Sequence, residues 1–230
     1  MSGLAAIKEC LAEGLEPVCF EARPEIGGGW AYQPDATQAV QSSVYAATML
    51  NSCRETTAFT DFPMDPARYG DYFPHTQFLR YFQEYAEHFG LLKHIRLSTT
   101  VLECAPVGNG KWRVRVQATG KEPEELEFAA VMVATGHLST PYMPDFKRRE
   151  VFQGQFLHSH YYRRPGPFEG KKVAVIGFGS SGIDIACEVA PQADELHLVT
   201  RRGGWVIPRY VLGKPAEAWD SECARPRNGT

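Results

Sequence analysis

The 230-residue chain is long enough for one large domain or two smaller ones, and its 43% hydrophobic and 22% charged residues are ordinary for a globular protein. The formal net charge of −3, without a long run of one sign, argues against a nucleic-acid or membrane-surface partner recruited by electrostatics alone. No apolar run approaches the roughly 20 residues that span a bilayer. Charged residues interrupt the first twenty positions, which argues against a signal peptide, and we expect a cytoplasmic protein.

The chain begins with a predicted helix and a predicted short strand. Apolar residues recur at helical spacing over residues 3–13, and Gly14 ends the helix. The segment EPVCFE at residues 16–21 is predicted as a strand. Residues 24–75 are rich in Gly, Pro, Ser, Thr and aromatic residues without periodicity. We therefore expect long ordered loops there, which in compact domains are usually functional.

A strongly amphipathic helix and a small sheet follow. Residues 77–90 place aromatic side chains on one side of a helix, which is more typical of a core than of a ligand site. Residues 95–104, 111–118 and 124–128 are predicted as strands of a small antiparallel sheet. An Asn-Gly pair between the first two of these strands is typical of a tight hairpin turn.

Three further strands are predicted towards the C-terminus. The apolar run AAVMVATGH at residues 129–137 is typical of a buried parallel strand that leads into a loop, and KKVAVI at 171–176 is predicted as a second buried strand. A helix that continues to Ala190 and a strand over residues 195–199 follow. From Lys214 the sequence has no periodicity, and we expect a poorly ordered tail.

The six cysteines and the paired histidines give little sign of metal chemistry. No two cysteines form a CxxC pair, which argues against a zinc ribbon or a dithiol redox centre and favours buried, reduced thiols. His158 and His160 stand close together, but no carboxylate or cysteine lies near them in sequence. We predict no metal site.

A glycine motif near residue 180 is the most specific pattern in the chain. The predicted strand KKVAVI runs into Gly177-x-Gly179-x-x-Gly182, a helix begins at the third glycine, and another strand follows at the expected distance. This context indicates a dinucleotide-binding βαβ unit. The first glycine permits a tight turn, the second lets the backbone approach the pyrophosphate, and the third lets the helix pack closely on the strand.

The residues after the last strand of this unit favour NADPH over NADH. A site for NADH places an acidic residue there to bind the ribose 2′-hydroxyl, whereas this chain has Thr200 and Arg201, followed by another arginine. A guanidinium binds a 2′-phosphate through two parallel N–H groups. The alternative is a surface arginine pair without a ligand.

The start of the chain resembles part of the same unit. Ser2-Gly3 corresponds to Ser181-Gly182: each leads into a helix and then a strand, and a Gly-Gly-Trp sequence follows later. The strand near the start ends in Glu21, close to the offset of the acidic residue that binds a free ribose 2′-hydroxyl. The two units imply two cofactors, an adenine dinucleotide with a free ribose and NADPH.

A second pattern precedes the glycine motif and carries a family resemblance. Phe152-x-Gly154-x-x-x-His158-x-x-x-Tyr162 matches the identifying pattern of the flavin-containing monooxygenases at every fixed position, and the chain resembles that family. The resemblance also includes EPVCFEARPEIGGGW, LNSCRE, VMVATGH and TRRGGW. It covers almost the whole chain up to about Tyr210.

The resemblance implies a set of site residues. Asn51 matches the family's active-site asparagine, whose side chain hydrogen-bonds near the reactive face of the flavin and the cofactor. The residues implied for the FAD site are Gly3, Glu21, Gly27, Gly28 and Trp30, with Thr135 and Gly136 at the crossover between domains. The residues implied for the NADPH site are Gly177, Gly179, Ser181, Gly182, Thr200 and Arg201.

The resemblance also implies a fold and a reaction. The fold would be α/β, with two Rossmann-like dinucleotide-binding units and a small antiparallel sheet insertion, arranged as an FAD-binding domain at 1–150 and an NADPH-binding domain at 151–230. NADPH would reduce FAD, and the reduced flavin would take up O₂ to give a C4a-hydroperoxide. A soft nitrogen or sulfur nucleophile of a small-molecule amine or sulfide would then attack the distal oxygen.

Other interpretations stay open at this point. A Baeyer–Villiger monooxygenase acting on ketones shares the opening of the pattern, but usually has a Trp and then a Pro or Asp where this chain has Tyr161 and Tyr162. Asn51 alone would more simply cap a turn. Trp30 and Trp205 are candidates for core aromatics, and the pattern before the glycine motif has a structural alternative in shaping the interdomain linker.

Parts of the family pattern are missing from this sequence. The first strand and leading glycines of the FAD motif are absent, and the residues after about Tyr210 do not match the family, so we expect a chain truncated at both ends. A strand without its neighbour loses hydrogen-bonding partners, and the flavin pyrophosphate would lose its cradle. We therefore expect weak or absent FAD binding by these 230 residues, and a nucleotide-binding remnant without activity is the non-enzymatic alternative.

Overall fold

A computed structural model describes residues 1–35 and 42–219. Helices α1–α4 span Ser2–Ala12, Arg54–Thr57, His75–His88 and Ser180–Val189. The nine strands β1–β9 of the described residues span Cys19–Phe20, Ile95–Arg96, Thr99–Gly108, Lys111–Ala118, Glu124–Phe128, Lys172–Ile176, Glu195–Val199, Tyr210–Val211 and Lys214–Pro215. Short 3₁₀ turns connect several of these elements.

The chain divides into two compact units, each formed by two segments. The first unit consists of Met1–Ala31 and Phe78–Ser139, and the second of Tyr32–Gln77 and Thr140–Thr230. In this division residues 32–77 group with the C-terminal segment, and the domains 1–150 and 151–230 stay a prediction. The assignment of FAD and NADPH to the two predicted domains stays a prediction.

In the first unit, α1 and the aromatic face of α3 form the buried layer. Leu4 and Ile7 of α1 are buried, as the helical spacing predicted. The aromatic stripe predicted for residues 77–90 is confirmed as core, and its buried members are Phe78, Tyr81, Phe82 and Tyr85. The predicted strand at residues 16–21 is confirmed only for the two residues of β1, which pair parallel with β2.

The predicted antiparallel sheet is confirmed in the first unit, with a change in its first strand. The segment predicted as that strand, residues 95–104, divides into β2, which pairs parallel with β1, and β3, which begins at Thr99. Strand β4 lies between β3 and β5 and pairs antiparallel with both. Asn109 and Gly110 both have positive φ (53° and 74°), so the predicted Asn-Gly turn connects β3 to β4. This backbone twist matches that of the flanking strands, which explains why the pair specifies the hairpin.

The apolar run at residues 129–137 does not form the predicted buried strand. None of its residues belongs to a strand, and Met132 and Val133 are 67% and 83% exposed. Within the described residues, its backbone makes no hydrogen bond to a neighbouring strand. A parallel strand needs neighbours that pair its backbone and cover its faces. The prediction was wrong because apolar composition shows only that a segment can be buried, and does not supply the pairing that buries it.

In the second unit, β6, α4 and β7 form a βαβ unit. Strands β6 and β7 are parallel, with Lys172 opposite Glu195 and Ile176 opposite Val199. The predicted strand and helix positions are therefore confirmed. The prediction that β6 is fully buried is wrong, since Ile176 is 56% exposed and only alternate side chains of β6 are partly covered.

The core of the second unit packs against α4. Buried Ile185 and Val189 of α4 contact Tyr45 and Tyr162, and partly buried residues of β6 and β7 pack against this cluster. The short hairpin β8–β9 lies near the C-terminal end of the described chain. Part of the tail predicted as poorly ordered is thus a paired structure, and residues 220–230 lie outside the described residues.

The cysteines are free in the described part of the chain but are not uniformly buried. Cys53 is buried, Cys10 and Cys19 are partly covered, and Cys104 and Cys187 are exposed. The prediction of buried thiols is therefore wrong for the last two. Across the described ranges, no helix is both long and apolar enough to cross a membrane.

Candidate dinucleotide-binding site

The glycine turn lies between β6 and α4 in the second unit. Gly177 has φ = 124°, a backbone conformation that L-amino acids with a side chain rarely adopt. Its N–H donates to the carbonyl oxygen of Val199 at 2.9 Å, which extends the pairing of β6 and β7 by one residue. The turn is therefore held next to the residues that follow β7.

The other two glycines of the motif have different surroundings. A Cβ on Gly182 would lie 2.5 Å from the carbonyl oxygen of Gly177, so the close approach of α4 to the turn requires glycine. A Cβ on Gly179 would meet nothing within 4 Å. Gly179 precedes the first residue of α4, so the open space adjoins the helix N-terminus, where free N–H groups favour an anion. This arrangement fits a pyrophosphate.

Thr200 and Arg201 follow directly after β7. The hydroxyl of Thr200 accepts a 3.4 Å hydrogen bond from the N–H of Arg202. Arg201 is exposed, and its guanidinium has no hydrogen-bond or ion-pair partner within residues 1–35 and 42–219. A cationic group without a protein partner fits the role predicted for it beside a phosphate. Trp205, a candidate core aromatic, is 96% exposed, so that interpretation is wrong.

Asn51 lies beside the same turn. Its side-chain amide donates to Ser180 Oγ at 3.4 Å, and Ser180 is the first residue of α4. The structure thus brings the predicted asparagine to the glycine motif, although 126 residues separate Asn51 from Gly177 in the chain. Ser181, another predicted nucleotide ligand, lies in the first turn of α4 and is exposed.

The family pattern at residues 152–162 has a structural explanation in this unit. A Cβ on Gly154 would lie 2.5 Å from Cζ of Phe152, so the aromatic ring occupies the space above the glycine. His158 Nδ1 accepts a 3.0 Å hydrogen bond from the N–H of His160 and caps a 3₁₀ turn. Burial, and then the neighbouring His160, lower the pKa of His158, which favours the neutral ring that accepts this bond.

Two tyrosines connect this region to α4. Tyr162, the last residue of the pattern, donates to Glu188 at 2.9 Å, and Tyr45 donates to Asp184 at 2.7 Å. The two rings are in edge contact, with centroids 5.5 Å apart. Burial, and then the bonded carboxylate, raise the pKa of both phenols. The pattern therefore fixes the helix that carries the glycine motif.

In the first unit, Gly3 and Glu21 lie near the ends of α1 and β1. A Cβ on Gly3 would lie 3.8 Å from Ala134 Cβ and 3.9 Å from Cys19 Sγ, which shows how closely α1 approaches β1. One carboxylate oxygen of Glu21 accepts the N–H of Arg23 at 2.9 Å. Glu21 follows β1 directly, the position expected for a ribose ligand.

The glycine loop that ends in Trp30 is organised by Arg23, a residue that the sequence analysis missed. Arg23 is buried and donates to the carbonyl oxygens of Gly28 and Ala31 at 2.9 and 3.3 Å. Gly27 has φ = 127°, and α3 passes so close that Leu79 would collide with a Cβ there. Trp30 packs edge-on against Phe78, with centroids 4.8 Å apart.

The two residues predicted at the domain crossover lie outside any helix or strand. Thr135 and Gly136 are exposed and lie in the unpaired run that follows β5. Gly136 has φ = 76°, which explains a preference for glycine.

The described residues contain no group of three His, Cys, Asp or Glu side chains that could hold a metal ion.

The βαβ unit and its glycine turn are those of the dinucleotide-binding class of proteins. Comparison with known protein families identifies the family within that class. The family model described as flavin-binding monooxygenase-like matches residues 1–220. The chain belongs to this family, which confirms the resemblance inferred from its sequence. The relatives named below are monooxygenases, so the family is one of enzymes.

Curated relatives match nearly the whole chain. Human flavin-containing monooxygenase 1 is 44% identical over 227 residues, which cover 96% of this chain and 42% of that protein. Dimethylaniline monooxygenase [N-oxide-forming] 2 of Macaca mulatta is 40% identical over 227 residues, with the same coverage of 96% and 42%. The chain thus spans about two fifths of the length of these relatives.

Solved structures show the same fold. S-allyl-L-cysteine S-oxygenase from Allium sativum superposes with a TM-score of 0.83 at 30% identity, over 92% of this chain and 51% of that one. An oxidized steroid monooxygenase bound to NADP superposes with a TM-score of 0.64 at 27% identity, over 96% of this chain and 40% of that one. The α/β fold of the flavin monooxygenases is therefore shown, and a second complete Rossmann-like unit at the start of the chain stays a prediction.

Proposed function

We propose that the protein is an NADPH- and FAD-dependent monooxygenase that oxygenates soft nitrogen or sulfur nucleophiles. The observation that carries the proposal is the turn between β6 and α4. The turn has open space at Gly179 and none at Gly182. After β7 comes Arg201, whose guanidinium has no partner among the described residues. The open space at the turn fits a pyrophosphate, and the guanidinium of Arg201 fits a 2′-phosphate.

NADPH would lie along this turn in the second unit. The N-terminus of α4 would bind the pyrophosphate through Gly179, Ser181 and the backbone N–H groups of the first turn. Arg201 and the hydroxyl of Thr200 would bind the 2′-phosphate and select against NADH. Asn51 reaches Ser180 from a loop of the same unit, so its amide would lie beside the bound nucleotide.

FAD would bind in the first unit. Glu21 would offer a carboxylate oxygen to a ribose hydroxyl, and Gly3 lies at the start of α1, where a Cβ would be in ordinary van der Waals contact with Cys19 of β1. Arg23 fixes the loop of Gly27, Gly28 and Trp30, which would line the flavin. Thr135 and Gly136 keep their predicted role at the crossover between the domains.

The cofactors would supply the redox chemistry, and the protein residues would bind, orient and shield them. That chemistry would be hydride transfer from NADPH to FAD and the reaction of the reduced flavin with O₂. An amide such as Asn51 can donate and accept hydrogen bonds without titrating. Its proposed task is therefore to orient the bound nucleotide, and no protein acid–base pair is invoked.

The names of two relatives support the proposed substrate class. One curated relative is described as N-oxide-forming, and one solved structure is an S-oxygenase. These names support a small-molecule amine or sulfide, with O₂ as the second substrate. The Baeyer–Villiger alternative is less favoured, because Tyr161 and Tyr162 occupy the positions where that class usually carries Trp and then Pro or Asp.

The proposal is tested first at the nucleotide site. We expect NADPH to bind the purified chain more tightly than NADH, and Arg201→Ala to weaken NADPH binding about ten- to a hundredfold while NADH binding changes little. Arg164→Ala serves as the matched control, since Arg164 is exposed and carries no charged partner in the described chain. Equal affinity for both nucleotides in the unmodified protein would contradict the site.

The reaction itself is tested with excess FAD present. We expect NADPH-dependent O₂ consumption that increases with a tertiary amine or a sulfide, with the N-oxide or sulfoxide detected by mass spectrometry. A ketone converted to an ester would favour the Baeyer–Villiger alternative. NADPH binding without any turnover in excess FAD would favour the nucleotide-binding remnant.

A further inference from the structure

The loop that carries Asn51 is held by a segment far along the chain, Arg209–Glu217, which we call the strap. The strap contains the hairpin β8–β9, in which Tyr210 pairs with Pro215 and Val211 with Lys214. The N–H of Ala216 donates to the carbonyl oxygen of Arg209 at 2.8 Å. The two ends of the strap are therefore fixed beside each other.

Arg209 at one end of the strap contacts the residue before Asn51. Its guanidinium donates to the carbonyl oxygen of Leu50 at 2.9 Å and lies 5.0 Å from the ring centroid of Tyr72. The hydroxyl of Tyr72 in turn donates to the carbonyl oxygen of Arg209 at 2.8 Å. The side chain of Arg209 is thus fixed by contacts on two sides.

Glu217 at the other end contacts the residues after Asn51. One of its carboxylate oxygens accepts the N–H of Cys53 at 2.7 Å and the hydroxyl of Thr56 at 3.1 Å. Cys53 is fully buried, and its thiol lies 3.4 Å from the Thr56 hydroxyl. A short bond from a backbone N–H to a carboxylate is among the stronger hydrogen bonds in proteins.

We propose that Arg209 and Glu217 are positioning residues, which hold Asn51 against Ser180 by fixing the backbone on both sides of it. Leu50 and Cys53 bracket Asn51 within four consecutive residues, and each bonds to one end of the strap. Among the residues that the structure describes, the exposed Asn51 side chain makes only one long hydrogen bond, which by itself would leave the amide poorly oriented. The hydrogen bonds from the strap to Leu50 and Cys53 would restrict the backbone of Asn51, which the single side-chain contact does not. The catalytic value of that order rests on the proposed function, but the positioning itself does not.

The positioning is tested without any cofactor or activity. We expect Glu217→Ala to increase hydrogen exchange at the Cys53 amide and alkylation of the Cys53 thiol at least about tenfold. Peptide mass spectrometry would separate Cys53 from the exposed Cys187, which acts as the internal reference. Glu217→Gln keeps an acceptor oxygen and should restore most of the protection. Glu169→Ala is the matched control, because Glu169 is exposed and has no side-chain partner in the described chain.

The orientation of Asn51 is tested by NMR on the same proteins. We expect the side-chain amide signals of Asn51 to move in Glu217→Ala and in Arg209→Ala, and to stay in place in Glu169→Ala. Unchanged Asn51 signals together with unchanged Cys53 exchange in both strap variants would overturn the proposal. Arg209→Ala and Glu217→Ala act at opposite ends of the strap, so failure of one variant to fold leaves the other to decide.

Nucleotide affinity separates this proposal from the proposed function. If Asn51 orients NADPH, Asn51→Ala and Glu217→Ala should each weaken NADPH binding, and the double variant should be no weaker than Asn51→Ala alone. If Asn51→Ala leaves NADPH binding unchanged, the proposed role of Asn51 fails. The exchange and NMR results would then still decide whether the strap positions it.

Discussion

A Cβ on Gly182 would lie 2.5 Å from the carbonyl oxygen of Gly177, so the helix and the turn of the glycine motif touch where only hydrogen fits. The atoms nearest to this Cβ belong to the backbone of Gly177, so no flexible side chain could shift to make room for it. The two residues therefore set the distance between α4 and the end of β6. That distance determines where the free N–H groups of α4 point.

Gly182→Ala should damage both stability and nucleotide binding. Forcing a methyl group into this contact displaces α4 or the turn, and we expect a loss of about 1–3 kcal/mol in the free energy of unfolding. Urea denaturation measures that loss, and a titration followed by NADPH fluorescence measures the affinity. Unchanged stability would show that the turn relaxes freely.

Gly179→Ala provides the contrasting variant. Its φ of −83° is accessible to alanine, and the added methyl group meets no protein atom within 4 Å. We expect unfolding to be nearly unaffected, or slightly more difficult because the unfolded chain is less flexible. NADPH binding should nevertheless weaken by about tenfold or more, since the methyl group enters the space assigned to the pyrophosphate. Normal affinity in this variant would argue against pyrophosphate at the turn.

The bond between Tyr162 and Glu188 should contribute measurably to stability. Tyr162→Phe keeps the buried ring and removes only the hydroxyl, so we expect a loss of about 1.5–3 kcal/mol, the range for hydrogen bonds to charged groups. Tyr142→Phe is the control, because Tyr142 is 82% exposed and its hydroxyl has no bonding partner in the described chain. Similar unfolding curves for both variants would contradict a role for this bond.

The same tyrosine should give the protein a sensitivity to alkali. The pKa of Tyr162 is raised in the folded state, so the unfolded chain releases its phenolic proton first, near the ordinary value of about 10. Stability supplied by the protonated phenol is complete below that pH and is lost as the pH rises towards the folded pKa. The stability difference between the unmodified protein and Tyr162→Phe should therefore shrink above about pH 10. A constant difference would contradict the raised pKa.

His158 should make stability sensitive to acid instead. Its pKa is lowered in the folded state, and only the neutral ring accepts the N–H of His160. The contribution of the neutral ring to the free energy of unfolding is complete above about pH 6.5, the pKa of histidine in the unfolded chain. It is lost as the pH falls towards the lower pKa of His158 in the folded protein. His158→Asn keeps a capping oxygen without titrating. We expect urea denaturation to show this variant gaining stability relative to the unmodified protein between pH 7.5 and about pH 5.

Predictions from the sequence were correct where local chemistry determines the structure. They failed where contacts between residues far apart in the chain determine it. The roles of Gly177 and Gly182 follow from backbone sterics and could be predicted from spacing alone. Glu217 could not be predicted, because nothing near it in sequence indicates a bond to Cys53, 164 residues away. Arg23 was missed for the related reason that its partners are backbone carbonyl groups, which leave no pattern in the sequence.

The most direct remaining prediction concerns the flavin. Residues 129–137 are exposed and unpaired in the described structure, and Ala134 of that run is the residue nearest to a Cβ on Gly3. A pyrophosphate cradle requires ordered neighbouring N–H groups, so we expect FAD to bind weakly here while NADPH binds at the ordered turn of the second unit. After incubation with FAD and desalting, the visible spectrum of the chain should show little flavin absorbance. A retained flavin spectrum would contradict this expectation, and hydrogen exchange should then show that residues 129–137 become protected when FAD binds.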